Sequence, residues 1–234
     1  MKIAILGIDF PLGKHHLPDE RLEKLRNIFH SPKVTYISLD FEDSTHLKDC
    51  DGILCEKSLK LDLLLPDLEN IENQLADEQN QNKDLYLRSK EALEKEILLN
   101  EVPFSEEEKK SLLNLNLVTL KPVSFVDKEN LASLPEIMLS VYANSGMLSF
   151  FTVNERELRA WAVKKGTTVF EAAGNIHSDI QRGFIKAEAV GFEDLVKSGG
   201  LNQAKAKGLV RLEDKGYILR DGDLIQIRFS RPGN

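Results

Sequence analysis

The sequence is poor in the features that announce a compartment or a chemistry. Its 234 residues include two cysteines, one tryptophan and eight prolines. Cys50 and Cys55 cannot build a disulfide framework and have no partner ligands at zinc spacing, so buried, reduced thiols are expected. No apolar run approaches the roughly 20 residues that cross a bilayer. The opening MKIAILGIDF lacks the cleavage region of a signal peptide, so a cytoplasmic location and no membrane partner are expected. His15, His16, His30 and His46 share no ligand spacing, and no metal is expected.

Charge is unevenly spread within a net balance of −7. Asp62–Glu108 holds 14 acids against 4 bases, whereas Phe150 to the end holds 14 bases against 11 acids. The acidic middle is a solvated helix face or, alternatively, an arm that binds a protein partner. The basic excess of the last third favours RNA without demonstrating it.

Lys2–Gly7 (KIAILG) is a buried first strand. After it, Gly7, Gly13 and Lys14 stand as candidate nucleotide-binding residues. A phosphate-binding loop reads G-x4-G-K-[ST]: backbone amides wrap the phosphates, the lysine neutralises them and the hydroxyl binds magnesium. Here five residues separate the glycines, His15 replaces the hydroxyl, and Pro18 disturbs the helix that should follow. The set therefore reads as vestigial, with no cofactor expected; ATP or GTP is the alternative, and magnesium is not expected. Asp19–Phe29 has helical spacing, and Lys33–Phe41 alternates as a strand. Leu61–Asn116 is helical: Pro66 suits a first helical position, Asp77–Lys83 a bend, and Ser105-x-x-Glu108 a capping box. Leu117–Val126 is a β-type run, Leu134–Val141 a helix or strand, and Asn144-Ser145-Gly146 a hinge.

Phe150–Val190 reads as strand, turn, strand, capped helix (Thr168-x-x-Glu171), a loop with His177, then strand; Gly174 is placed to end the helix in a left-handed conformation. Phe192–Val196 and Leu201–Lys207 follow as short helical turns, and Asp221-Gly222 as a turn before the strand Leu224–Phe229. His177-Ser178-Asp179 are sequence neighbours, which rarely form a triad; a structural loop is favoured and no catalytic residue is assigned. Arg159, Lys164, Lys165, Arg182 and Lys186, with Trp161 and Phe184, make a candidate partner or RNA surface. The same residues also suit the wet face of a sheet with Trp161 in the core.

The run Trp161, Gly174, His177, Gly183, Glu188 resembles, in order, the TGS domain at the C-terminus of the YchF / Obg-like ATPase family. The helix Asp19-Glu20-Arg21-Leu22…Leu25 and the strand after it are similar to the family's approach to its switch aspartate. The resemblance implies an α/β degenerate P-loop-type domain with a helical hairpin insertion, plus an α+β β-grasp (ubiquitin-like) TGS domain. Residues 1–60 and 117–146 would be the reduced GTPase-like domain, 61–116 the helical arm, and 147–234 the TGS domain. The family's glycine-rich switch loop is replaced by Asp40-Phe41-Glu42-Asp43-Ser44. Its base-reading motif is replaced by Asp127-Lys128-Glu129-Asn130, with no asparagine at the start. Both losses count against hydrolysis. The expected function is a non-catalytic protein whose TGS domain binds the ribosome, structured RNA or a regulatory ligand, with residual ATP or GTP binding as the alternative.

Overall fold

The computed structural model describes residues 1–77 and 79–230. The chain begins with β1 (Lys2–Leu6), β2 (Gly13–His16), α1 (Glu20–Phe29), β3 (Val34–Thr35), β4 (Ser38–Glu42) and β5 (Gly52–Glu56). The middle holds α2 (Lys60–Ala76), α3 (Lys83–Glu94), α4 (Glu106–Leu113), β6 (Val123–Val126) and α5 (Leu134–Asn144). Then come β7 (Met147–Val153), β8 (Leu158–Lys164), α6 (Val169–Ile176), α7 (Ser178–Arg182) and β9 (Phe184–Gly191). The chain closes with α8 (Phe192–Ser198), α9 (Leu201–Ala206), β10 (Arg211–Glu213) and β11 (Asp223–Phe229). They form two compact units: residues 1–15 with 38–145, and residues 16–37 with those from Gly146 on.

The first unit is built on a sheet of order β2-β4-β1-β5-β6, in which β4, β1, β5 and β6 run parallel. Ile3, Ala4, Ile53, Leu54 and Cys55 are buried in it, the unbroken apolar run expected of strands covered on both faces. The arm helices close their own core around Leu64, Ile71, Leu85, Tyr86, Leu93, Phe104 and Leu112. The Ser105/Glu108 capping box starts α4 as expected. Pro66, expected at a helix start, lies inside α2 instead. Burial of Leu63 and Leu64 extends the helix ahead of it, offsetting the one backbone bond a proline removes. Glu78, in the expected bend 77–83, lies outside the described residues. The run expected as a strand from Leu117 starts with a 3-10 turn, Val118–Leu120, because the buried Asp67 carboxylate holds it. Asp67 accepts from Val118 N (3.1 Å), Thr119 N (2.7 Å) and Thr119 Oγ1 (2.7 Å).

The second unit has a sheet of order β10-β9-β11-β7-β8-β3. β7 and β8 form an antiparallel hairpin, and the last strand, β11, lies parallel beside β7 and antiparallel to β9. One face packs with α6, burying Leu148, Phe150, Val163, Ala173, Ala187 and Ile225. A capping box of Thr168 and Glu171 starts α6. Gly174 does not end that helix, which runs on to Ile176. Its missing side chain makes room for Gln181, whose carboxamide lies 2.8 Å from where a Cβ would sit and donates to Phe170 O at 3.1 Å.

Residues 1–60 read as part of one domain and Lys33–Phe41 as one strand, but the structure divides both. β3 pairs with β8 (Val34↔Leu158, Thr35↔Arg159) in the second unit, while β4 pairs with β1 (Phe41↔Ile3) in the first. α1 goes with the second unit. Its Leu22 and Leu25 are fully buried, and Arg21 lies 5.2 Å from the Phe151 ring centroid and donates to Asp221 at 2.6 Å. Alternation fixes a strand's period but not the sheet it joins.

Candidate functional site

In open α/β sheets, ligands bind beyond the carboxyl ends of the strands, where the connections diverge. Here they diverge at β1, with β4 on one side and β5 on the other, which points to Gly7. Gly7 has φ +78°, and Leu59 Cδ1 lies 2.2 Å from where its Cβ would be. This glycine therefore serves a left-handed turn and a close approach by Leu59. The following chain does not wrap an anion. Phe10 is buried with its ring centroid 4.7 Å from that of Phe41. Gly13 and Lys14 lie in β2, an edge strand beside β4, with Lys14 exposed. His15 Nε2 lies 3.1 Å from Pro11 O. No helix begins at Lys14; the next, α1, is capped by Asp19. The helix N-terminus that gives a phosphate loop its amides and dipole is thus missing from this position.

The neighbouring strand ends carry carboxylates that fill their own amides. Asp43 after β4 accepts from Thr45 N (2.9 Å), Glu56 at the end of β5 from Ser58 N (3.0 Å), and Asp127 after β6 from Glu129 N (3.0 Å). Hydrogen bonds from the Thr45 hydroxyl and amide hold the Asp43 carboxyl below its ordinary range. The amides at these strand ends are occupied, and the occupants are negative. Acids at the ends of β4, β5 and β6 were the signal in the sequence for this arrangement; Asp43 and Asp127 were read only as replaced motif positions, and Glu56 was passed over.

Neither cysteine fits a nucleophile's environment. Both are buried and free, and burial pushes the Cys55 thiol up to about 12. The described residues contain no group of three or more His, Cys, Asp or Glu placed to hold a metal, and no helix long and apolar enough to cross a membrane.

The five basic residues of the second unit do not form one patch. The β7/β8 register (Phe150↔Trp161, Met147↔Lys164) puts Arg159 on the α6 face with Trp161, and Lys164 on the other. Lys186 shares the face of Lys164 but lies toward the opposite end of the sheet, paired across from Arg228. Arg159 covers the Trp161 ring at 4.9 Å and lies 3.4 Å from Glu157, while Trp161 stacks on Phe150 and donates to Thr152 Oγ1 at 2.9 Å. Arg182 pairs with Asp179, and Lys186 with Asp214. Only Lys164 and Lys165, of these five, make no ion pair among the described residues. Phe184 is buried against Phe170. His177 caps α7, its Nδ1 accepting from Asp179 N at 3.1 Å. That geometry assigns it to the scaffold.

The first unit is a parallel α/β unit whose strand connections diverge at β1, and comparison with known proteins identifies relatives of the chain. Residues 147–230 match the family model YchF-GTPase_C, described as a protein of unknown function (DUF933). The ribosome-binding ATPase YchF of Bacillus subtilis is 27% identical, with 95% of this chain and 90% of that protein covered. That alignment is 330 positions long against a chain of 234, so long stretches of the relative face gaps. Obg-like ATPase 1 of Homo sapiens is 41% identical over 101 residues, which cover 43% of this chain but 26% of that protein. The structure of the Schizosaccharomyces pombe YchF GTPase superposes with a TM-score of 0.79 at 18% identity, covering 95% of this chain and 88% of that one. Residues 147–230 thus match the C-terminal domain of the YchF family, and the chain as a whole is similar to YchF and Obg-like ATPases.

Proposed function

We propose that this chain is a nucleotide-independent member of the YchF family that acts by binding a translation partner, the ribosome first, through its second unit. The observation that carries the reading is the position after β1. There, Leu59 packs on Gly7 and an edge strand stands in place of the phosphate loop and its helix. Its B. subtilis relative is named a ribosome-binding ATPase, which supports the partner and, with it, a cytoplasmic setting. We read the second unit as a TGS-type β-grasp domain. A hairpin, a helix crossing one face and a last strand parallel to the first are the marks of that fold, and β7–β8, α6 and β11 follow them in order.

Calorimetry with ATP and with GTP, each with and without magnesium, should give no measurable heat. Co-sedimentation with 70S or 80S ribosomes should show binding that weakens as salt rises. The competing reading is residual nucleotide binding at Gly7, Gly13 and Lys14. Micromolar affinity abolished by Lys14→Ala would establish it and overturn ours.

A further inference from the structure

The second unit holds a cavity of about 510 Å³ whose chemistry differs from the basic surface considered above. Its apolar walls include Ile28 and Phe29 at the end of α1 and Leu201 at the start of α9. Its polar lining is made of carboxamides: Asn154, Asn202, Gln203 and Gln226. The side chains of Asn202, Gln203 and Gln226 make no hydrogen bond among the described residues, so each still offers a donor and an acceptor. Glu155 is the one charged residue in the lining. Between α8 and α9 the wall is bare backbone: Gly199 (φ +81°) has nothing within 4 Å of where a Cβ would sit. Gly200 (φ +143°) leaves space that the Gln203 carboxamide uses, with Oε1 2.9 Å from that point.

We infer that this cavity takes an unstacked purine base of a single-stranded RNA, read by the carboxamides. A carboxamide places one donor beside one acceptor, the pattern that Asn and Gln use bidentately on adenine N6 and N7. Apolar walls that include a phenylalanine suit a flat ring, and glycine backbone lets it approach closely. A free nucleotide polyphosphate does not fit, because the lining has a carboxylate and no cation. A strand does fit. A second cavity of about 440 Å³ shares Val153, Asn154 and Gln226 with the first and gives room for the next nucleotide; its Arg228 is paired with Glu188 of the same lining. This binding concerns free RNA and does not depend on the ribosome reading.

The test uses the full chain with fluorescein-labelled hexa-adenylate and hexa-uridylate RNA, followed by anisotropy. Hexa-adenylate should bind at least about tenfold tighter. Gln226→Leu and Gln203→Leu, with unchanged melting temperature, should each bring the two affinities to within about twofold. As an independent measurement, adenosine should shift the side-chain amide resonances of Gln203 and Gln226. Equal binding of the two RNAs, no binding of either, a preference that survives both substitutions, or shifts confined to other residues would overturn the inference. So would capture of an extended peptide by these carboxamides in competition with hexa-adenylate.

Discussion

Removing residues 16–37 should unfold the second unit, although it matches a family model without them. The segment supplies Leu17, Leu22, Leu25 and Ile37, at 2%, 0%, 0% and 8% exposure. Burying one such aliphatic side chain contributes about 1.5–3 kcal/mol. Four of them amount to roughly 6–12 kcal/mol, an upper estimate because the unfolded chain already hides some of that surface. A domain's whole net stability is about 5–15 kcal/mol, so the loss is of the same size. β3 would also leave the β8 edge, and Arg21 would leave Asp221. Trp161, the sole tryptophan, lies in this unit and reports on it alone. A fragment starting at Gly146 should show no cooperative urea transition by tryptophan fluorescence, and a peptide of residues 16–37 added in excess should restore one. In the full chain, Leu22→Ala and Leu25→Ala should each cost about 2–5 kcal/mol on the same probe. If the bare fragment unfolds cooperatively at the midpoint of the full chain, the assignment of 16–37 to this unit is wrong in energetic terms.

Three further outcomes follow from buried or close-packed groups. Asp67→Ala leaves two amides and a hydroxyl without their acceptor and should cost about 3 kcal/mol, seen as faster hydrogen exchange at Val118 and Thr119. Glu188 is held below the ordinary carboxylate range by hydrogen bonds from Lys205 and then Arg228. Its contribution is therefore present above the unfolded value of about 4.3 and lost as pH falls through the lower folded value. The stability gap between the wild type and Glu188→Gln should hold from neutral pH to mild acid and then close; a gap that widens in acid would contradict the sign. Gly183→Ala should destabilise the second unit by at least about 1–3 kcal/mol, because its Cβ would sit 1.9 Å from the Ser230 carbonyl oxygen. A melting temperature unchanged from the wild type would count against that packing.

Local signals carried much of the fold. Ser105 with Glu108 and Thr168 with Glu171 marked helix starts because a capping box is complete within four residues. The turn at Asp221-Gly222 and the hinge at Gly146 were legible for the same reason, since a positive φ selects glycine at Gly146 and Gly222. What escaped depends on partners distant in sequence. Pairing with β8 rather than β1 decides the fate of Val34 and Thr35, and nothing in Lys33–Phe41 encodes that choice. Gly174 looked like a helix stop, but its reason is Gln181, on the next helix. The failure of the basic patch was avoidable. Arg159 and Lys164 are an odd number of residues apart on one strand, which alone puts them on opposite faces. At the candidate nucleotide site, the altered loop after Gly7 was visible in the residues; its occupation by Leu59 required the three-dimensional packing.

The division of the chain has a consequence for how such a protein is cut or inherited. It passes from one unit to the other near residues 15, 37 and 145. A single proteolytic nick at any one of these points leaves both units covalently joined through the remaining two. Band patterns on a denaturing gel would therefore mislead about which pieces travel together under native conditions. The same threading bars the second unit from being gained or shed whole in one recombination at the Ser145–Gly146 boundary. A descendant that lost everything before Gly146 would also lose a helix and an edge strand from the part it kept.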